Sequence, residues 1–326
     1  MPSITSRPFE RSLLPDLLSI TQANANARWP GVTYLLNSDI AWRLPGSSPE
    51  ENIRLWFDNL GIAGYAWFQL NDVCTFDLRE DITWDSEIPL QMIRWLEKRR
   101  TLFGPLNPWS VTLNSMQEWE TALSNNLHLQ AGDQSLLHLG AFDLDAERIQ
   151  FLADQGYEST RQFHYYMTRD LDIPIPEPEM PDNMILKHVS ETEFDERVET
   201  HRDAWFKSTY SMDTYLELRA IDMYDPELDI VVATGTGEFA SYCIGWVDKT
   251  VGVGSFEPVG TRPAYRRLGL GRLVNYEGLR RMKAKGMHSA KIGTAGFNDP
   301  AFGLYSSCGF KLIDKERTYL KSLGLH

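Results

Sequence analysis

The chain has 326 residues, 42% of them hydrophobic, which is enough for two domains of ordinary size. The formal net charge of −13 argues against nucleic acid as a partner, because phosphate binding requires an excess of Lys and Arg. No apolar run is long enough for a membrane span, and the first residues contain no apolar signal core. We therefore expect a cytoplasmic protein with no membrane partner.

The three cysteines, Cys74, Cys243 and Cys308, are an odd and widely scattered set. Such a set indicates neither a disulfide framework nor a metal site, and no His-Glu-x-x-His or Cys-x-x-Cys motif occurs in the sequence. We expect no metal.

In the first half, apolar runs over 65–70 and 73–78 predict two neighbouring strands. The segment that follows, 79–87, contains no glycine and has four carboxylates against the single cation of Arg79. These charges would repel a phosphate group. The first half is therefore not expected to hold a phosphate-bearing ligand.

Four prolines lie close together in 171–182 and exclude a helix there. We interpret this segment as a linker between two domains, 1–170 and 183–326.

The start of the second half contains two local signals. Ser190 with Glu193 three residues later is typical of a capping box at the start of a helix. The residues 235–240 match the dinucleotide-binding pattern Gly-x-Gly-x-x-Ala, but strand-like runs lie on both sides. No helix could offer its N-terminus there, so we interpret this segment as a hairpin turn.

The most informative stretch begins with an apolar run over 251–256, which predicts a strand. After a loop, Arg266-x-x-Gly269-x-Gly271 opens a run with helical periodicity, marked by Leu270, Leu273, Val274, Leu279 and Met282. The first amides of a helix lack internal partners and favour anions, and glycines let a phosphate approach the backbone. A P-loop is excluded because Arg272 and Leu273 follow Gly271. A phosphate-bearing cofactor is expected.

Farther on, 287–294 predicts a strand after a helix that ends at Gly286. The run Phe151–Tyr157 is similar to Leu304–Phe310 at an offset of 153 residues, so each half ends with a helix, a Gly-aromatic pair and two strand-like runs. This similarity favours an internal duplication. At this offset Asn298 corresponds to Asp145.

Two motifs together resemble the GNAT superfamily of N-acetyltransferases. Arg266-x-x-Gly269-x-Gly271 resembles its acetyl-CoA pyrophosphate loop, and the run 298–310 matches its Asn-x-x-Ala-x-x-Leu-Tyr-x-x-x-Gly-Phe. The resemblance covers 183–326. It implies an α/β fold of two tandem GNAT-like domains, each a mixed, mostly antiparallel twisted sheet flanked by helices, with a first domain that has lost its cofactor site.

The resemblance also implies roles for particular residues. Glu257 would be the general base that takes the amine proton, and Tyr305 the general acid that protonates the leaving thiolate. The residues implied to bind acetyl-CoA are Val259, Gly260, Thr261, Arg266, Arg267, Leu268, Gly269, Leu270, Gly271, Arg272 and Asn298.

The function expected from this resemblance is transfer of an acetyl group from acetyl-CoA to the primary amine of a small molecule. The acceptor wall would be formed by 190–223, which contains Asp203, Trp205, Phe206, Tyr210 and Tyr215. Two alternatives remain open: a non-catalytic acyl-CoA-binding or regulatory protein, and a tandem acyltransferase with another donor or acceptor, like mycothiol synthases. The sequence does not indicate the oligomeric state.

Overall fold

A computed structural model describes residues 4–31, 33–45, 47–69, 73–102, 135–177, 179–205 and 208–323. The strands in these ranges are β1 (Thr5–Pro8), β2 (Ile53–Asp58), β3 (Gly61–Trp67), β4 (Thr75–Leu78), β5 (Ser135–Phe142), β6 (Glu158–Asp170), β7 (Met184–His188), β8 (Asp229–Thr234), β9 (Phe239–Asp248), β10 (Val253–Thr261), β11 (Ser289–Ala295) and β12 (Lys311–Leu323). The α-helices are α1 (Leu14–Arg28), α2 (Asn37–Arg43), α3 (Pro49–Asn52), α4 (Glu87–Thr101), α5 (Ala146–Asp154), α6 (Phe194–Ala204), α7 (Met212–Arg219), α8 (Leu270–Ala284) and α9 (Asp299–Ser307).

The strands form two sheets, one antiparallel sheet in the order β1-β2-β3-β4 and one eight-stranded sheet in the order β5-β12-β6-β11-β10-β9-β8-β7. In the larger sheet, β10 and β11 are parallel, whereas the other neighbouring strands run antiparallel. The helix α8 packs on β8, β9 and β10 through Leu273, Val274 and Leu279, which are almost fully buried. The apolar face of this helix therefore forms the main core of the second half.

The two halves exchange their last strands. β6 precedes the proline-rich segment, yet it lies between β12 and β11 of the second half. β12 in turn lies between β6 and β5, so that each strand pairs on both edges. The described residues of 171–182 contain neither helix nor strand. The chain thus crosses from one half to the other before the proline-rich segment begins.

The internal repeat is visible in the element bounds. α5 and α9 begin 153 residues apart, and so do β6 and β12. The helices also share their N-caps, because Asp145 accepts the N–H of Arg148 and Asn298 accepts the N–H of Ala301. The expectation of two strand-like runs at the end of each half was wrong. Each end is one strand of 13 residues, which in β12 is interrupted by two register shifts.

In the first half, a buried arginine occupies the position that corresponds to the start of α9 in the second half. At the offset of 153, Arg148 corresponds to Ala301, and its side chain is fully buried. Its Nη1 donates to the carbonyl of Phe76 at 2.6 Å, and its guanidinium lies 3.9 Å from the ring centroids of Tyr34 and Phe76. Arg79 is paired with carboxylates of its own neighbourhood. The side chain of Arg148 thus occupies this part of the first half.

Three consecutive residues at the start of α2 bond to three strands of the second half. They are the backbone N–H of Asn37, which donates to Asp248 on β9 at 3.3 Å, the hydroxyl of Ser38, which lies 3.2 Å from that of Ser255 on β10, and the carboxylate of Asp39, which pairs with Lys291 on β11. A helix of the first half is thereby fixed across the centre of the large sheet.

No helix in the described residues is long and apolar enough to cross a membrane. Within the same residues, no cluster of three or more potential metal ligands occurs. The three cysteines are buried, and none of them forms a disulfide with another described residue.

The pair between Asp39 and Lys291 predicts an effect on stability. Burial alone would raise the pKa of Asp39, but the charges of Lys291 and Arg43 outweigh it and lower the pKa below its usual value. In Asp39→Asn, Lys291 loses its partner, and we expect the free energy of unfolding at pH 7 to fall by roughly 3 kcal/mol in urea titrations. The carboxylate stabilises the fold above its unfolded pKa of about 3.9 and ceases to do so as the pH falls through its lower folded value.

The difference between wild type and Asp39→Asn should therefore persist down to about pH 4 and narrow only below it. Asp143→Asn is the matched control, because it breaks a half-exposed pair with Arg317 and should cost less than about 1 kcal/mol. Equal decreases in the free energy of unfolding of the two variants would contradict a buried contact between the halves.

Candidate active site

The strands β10 and β11 diverge and leave an opening in the sheet. Their parallel ladder joins only Val253–Ser255 to Ser289–Lys291, although both strands continue to Thr261 and Ala295. A cavity of about 1620 Å³ extends from this opening and is lined by residues of both halves. The opening has the size and the concave shape expected of a ligand site.

Backbone donors line one edge of the opening. The register between β10 and β9 shifts between Phe256 and Val259, which leaves Glu257 and Pro258 out of the ladder. Beyond the shift, Arg262 donates its N–H to the carbonyl of Ala240 on β9. Because successive peptide groups of a strand alternate in direction, the N–H groups of Val259 and Thr261 point away from β9 and towards the opening.

The start of α8 forms an anion cradle at the mouth of the opening. Gly269 is in the left-handed region with φ of 80°, and the described residues supply no side-chain cap to the helix. The first amides are therefore available to a ligand and carry the positive end of the helix dipole. Arg266, Arg267 and Arg272 also line the cavity.

The loop before α8 is held by a residue that sequence reasoning missed. Arg262 is 6% exposed and forms ion pairs with Glu196 at 2.8 Å, Asp203 at 2.9 Å and Glu238 at 3.0 Å. Glu238 also accepts a hydrogen bond from the hydroxyl of Tyr265. These partners come from α6 and from the β8–β9 hairpin, so no local pattern could have indicated the cluster.

Glu257 on β10 and Tyr305 on α9 line the same cavity. Glu257 is half-buried on β10, and its carbonyl accepts the indole N–H of Trp246 at 2.8 Å. Tyr305 lies on α9 and is 7% exposed. Burial first, and then the negative charge of Glu257, raise the pKa of Tyr305 well above its usual value. Its hydroxyl therefore remains protonated at neutral pH and can donate a proton.

The remaining predicted cofactor residues separate into two groups. Gly260, Leu270, Gly271 and Asn298 line the cavity, although Leu270 is 1% exposed and belongs mainly to the core. Leu268 is 52% exposed and is not one of the residues that line the cavity. The structure thus brings every predicted site residue except Leu268 to one cavity.

The predicted acceptor wall is only partly at the cavity. Asp203 and Trp205 line it, and the indole N–H of Trp205 donates to the hydroxyl of Tyr242 at 2.9 Å. Tyr215 is instead buried, and its hydroxyl donates to Asp229 at 2.7 Å. Phe206 lies outside the described residues.

The predicted acceptor wall also contains a histidine, His201, that stays neutral. The ring of His201 stacks on Tyr210 with centroids 4.0 Å apart, and its Nδ1 lies 3.1 Å from the hydroxyl of Ser208. Burial and the nearby charge of Arg197 lower the pKa of His201 to about 3. His201 therefore carries no charge near neutral pH, and it is a packing residue of this wall rather than a charged one.

The first half also supplies part of the cavity lining. α2 contributes Asp39, Trp42 and Arg43, and the exchanged strands contribute residues such as His164 and Glu316. These residues reach the cavity only because β6 and β12 are exchanged and α2 is fixed across the sheet. The cavity is therefore built by both halves.

Known proteins resemble this chain in part of its sequence and in its fold. Residues 194–310 match the family model described as acetyltransferase (GNAT) family. A tandem GNAT protein from the clavulanic acid biosynthesis pathway has a similar structure, with a TM-score of 0.66 at 12% identity over 99% of this chain and 100% of that one. A GCN5-related N-acetyltransferase from Sphaerobacter thermophilus has a TM-score of 0.64 at 16% identity, over 99% of this chain and 97% of that one.

Two curated relatives match this chain over only part of its length. The mycothiol acetyltransferase of Arthrobacter sp. (strain FB24) is 23% identical over 178 residues, which is 51% of this chain and 54% of that protein. The mycothiol acetyltransferase of Paenarthrobacter aurescens (strain TC1) is 27% identical over 105 residues, 31% of this chain and 32% of that protein. The match thus spans about half or less of these relatives. Residues 194–310 thus match the model of the GNAT family of acetyltransferases, and the chain as a whole has the predicted tandem GNAT fold.

The packing around Gly260 predicts the effect of a substitution. A Cβ at Gly260 would lie 2.5 Å from a ring carbon of Tyr242 and 2.9 Å from the Cβ of Ala204. We expect Gly260→Ala to lower the free energy of unfolding by about 1–3 kcal/mol, because both neighbours are packed.

Gly303→Ala is the matched control for Gly260→Ala. A Cβ there meets no described atom within 4 Å, and Gly303 lies in α9, so Ala should stabilise the protein by up to about 1 kcal/mol. Chemical denaturation of both variants measures the sign of each change in the free energy of unfolding. A neutral or stabilising Gly260→Ala would show that this residue is not required for packing.

Proposed function

We propose that the protein is an acetyl-CoA-dependent N-acetyltransferase that acetylates the primary amine of a small molecule. The observation that carries the proposal is the single cavity shared by the anion cradle of α8, the carboxylate of Glu257 and the hydroxyl of Tyr305. A carboxylate and a protonated phenol beside one phosphate-binding helix start are the groups that amine acylation from a thioester requires. A reaction that consumes acetyl-CoA is consistent with the cytoplasmic location that we also propose.

The residues of the cradle fit the phosphates of acetyl-CoA. The uncapped amides of α8 and the side chains of Arg266, Arg267 and Arg272 would hold the pyrophosphate, since Arg favours bidentate contacts with phosphate. The N–H groups of Val259 and Thr261 would pair with the pantetheine arm like an added strand. When bound, acetyl-CoA supplies an acetyl group activated as a thioester.

The two catalytic residues would each move one proton. A lysine-like amine with a pKa of about 10.4 is neutral in only about one molecule in 2,000 at pH 7, so a base is needed. Glu257 would accept that proton, directly or through water, at its carboxylate. Tyr305 would donate its hydroxyl proton to the departing sulfur, a role that suits a phenol kept protonated by its surroundings.

The acceptor class can be narrowed experimentally. The partial similarity to mycothiol acetyltransferases makes a thiol-bearing sugar amine one compound to test, together with polyamines, aminoglycosides and peptide N-termini. Release of CoA with one of these classes would support the proposal. Tight binding of acetyl-CoA without turnover of any amine would instead favour an acyl-CoA-binding or regulatory protein.

Paired variants test the two roles. We expect Glu257→Gln to lower kcat at pH 7 by about 10²- to 10³-fold, because the amine must then lose its proton unaided, while the Kd for acetyl-CoA changes little. The loss should shrink as the pH rises towards the pKa of the amine. Tyr305→Phe should lower kcat by about 10- to 100-fold without this recovery. A Glu257→Gln variant with wild-type kcat from pH 6 to 9 would reject Glu257 as the base.

A further inference from the structure

Helix α2 contributes Asp39, Trp42 and Arg43 to the cavity that the proposed base, Glu257, also lines. Asp39 is fixed to Lys291 on β11, and Arg43 follows it by one helical turn. Trp42 packs in the same apolar cluster as Trp246, whose indole donates to the carbonyl of Glu257. Trp42 and Arg43 therefore line the same cavity as Glu257.

Arg43 has no carboxylate partner among the described residues, whereas two other cations that line the cavity do. Its guanidinium carbon lies 4.7 Å from the ring centroid of Trp42, and its Nε is buried without a hydrogen-bond partner in the described residues. No carboxylate of the described residues lies within ion-pair distance of it. By contrast, Lys291 is paired with Asp39, and Arg317 is paired with Asp143.

The Nε of Arg43 leaves one guanidinium donor for which the described residues supply no acceptor. Buried polar groups in folded proteins are nearly always hydrogen-bonded, and Arg is the side chain best suited to a planar carboxylate. The Asp39 carboxylate cannot serve both cations fully, because it already accepts from Lys291 and from the backbone N–H of Leu36. The ring of Trp42 would cover one face of a group held there.

We propose that Trp42 and Arg43 form an acceptor subsite for a carboxylate, so that the amine acetylated by this protein belongs to a zwitterionic amino acid or a similar amino carboxylate. The inference rests on the proposed function, because it takes Glu257 as the group beside the reacting amine. The cavity then offers the carboxylate of Glu257 to the ammonium group of the ligand and the guanidinium of Arg43 to its carboxylate. Such complementary charges fix the orientation of a small ligand.

Matched pairs of acceptors test the subsite. Each pair consists of an amino carboxylate and the amine left when its carboxyl group is removed: phenylalanine with 2-phenylethylamine, γ-aminobutyrate with propylamine, and 6-aminohexanoate with pentylamine. We expect the wild-type kcat/KM to favour the acid of the best-fitting pair by at least about 10-fold. Arg43→Met should lower kcat/KM for that acid by roughly 10- to 100-fold, mainly through KM, and for its amine by less than about threefold.

Two further variants serve as controls. Arg94→Met removes one positive charge from an exposed position on α4 and should leave both members of each pair unchanged. Arg43→Lys keeps the charge and should give an intermediate loss, which distinguishes binding from misfolding of Arg43→Met. Wild-type protein that prefers no acid over its amine, or equal losses for acid and amine in Arg43→Met, would overturn the subsite.

Binding measurements separate this inference from the proposed function. The three acids are titrated calorimetrically into protein saturated with CoA, which lacks the acetyl group and permits no turnover. Acids that bind to wild type and lose at least about 10-fold in affinity in Arg43→Met support the subsite, even where no acetyl transfer is detected and the proposed function fails. Failure of all three acids to bind overturns the subsite, even where acetyl transfer to another amine is observed.

Discussion

The strand β6 lies between β12 and β11, and this pairing makes one sheet from two halves of the chain. Both edges of β6 are bonded to strands that follow the proline-rich segment, and β12 is bonded to β5 in return. Each ladder hydrogen bond contributes only about 1 kcal/mol net, but strands of 13 residues with two partners make many of them. The halves are therefore expected to unfold together rather than as separate domains.

The exchange also decides what the first half does. The first half keeps the strands of the repeat, and the buried side chain of Arg148 occupies the position that corresponds to Ala301 in the second half. Its α2 then lies across the sheet of the second half, fixed at three successive residues. The first half thereby becomes one wall of the cavity in front of Glu257. In our account, one repeat binds the donor and the other recognises the acceptor.

Local signals in the sequence were sufficient for the second half. The glycines before α8, the Asn298 cap and the hairpin at 235–240 are each determined by a few neighbouring residues, and the structure has all three. The repeat offset of 153 also predicted that Asp145 corresponds to Asn298, and both cap a helix.

Partners that are distant in the sequence were not predictable. An apolar strand pattern indicates a buried strand but not its neighbour, so the exchange of β6 and β12 remained hidden. The same limit applies to Arg262, whose partner Glu196 is 66 residues away, and to Asp39, whose partner is 252 residues away. The acceptor side of the cavity depends on such pairs, whereas the donor side depends on one contiguous loop. This explains why the acceptor wall was only partly anticipated.

Calorimetric titration of the full chain with acetyl-CoA tests the central claim, which is one donor site in the second half beside a filled cleft in the first. We predict one site per chain, which is lost in Gly269→Glu because a carboxylate would enter the cradle. Gly269→Ala should keep the site, since a Cβ there meets no described atom within 4 Å and φ of 80° costs about 1–2 kcal/mol. Two sites per chain, or a single site that survives in Gly269→Glu, would contradict the account.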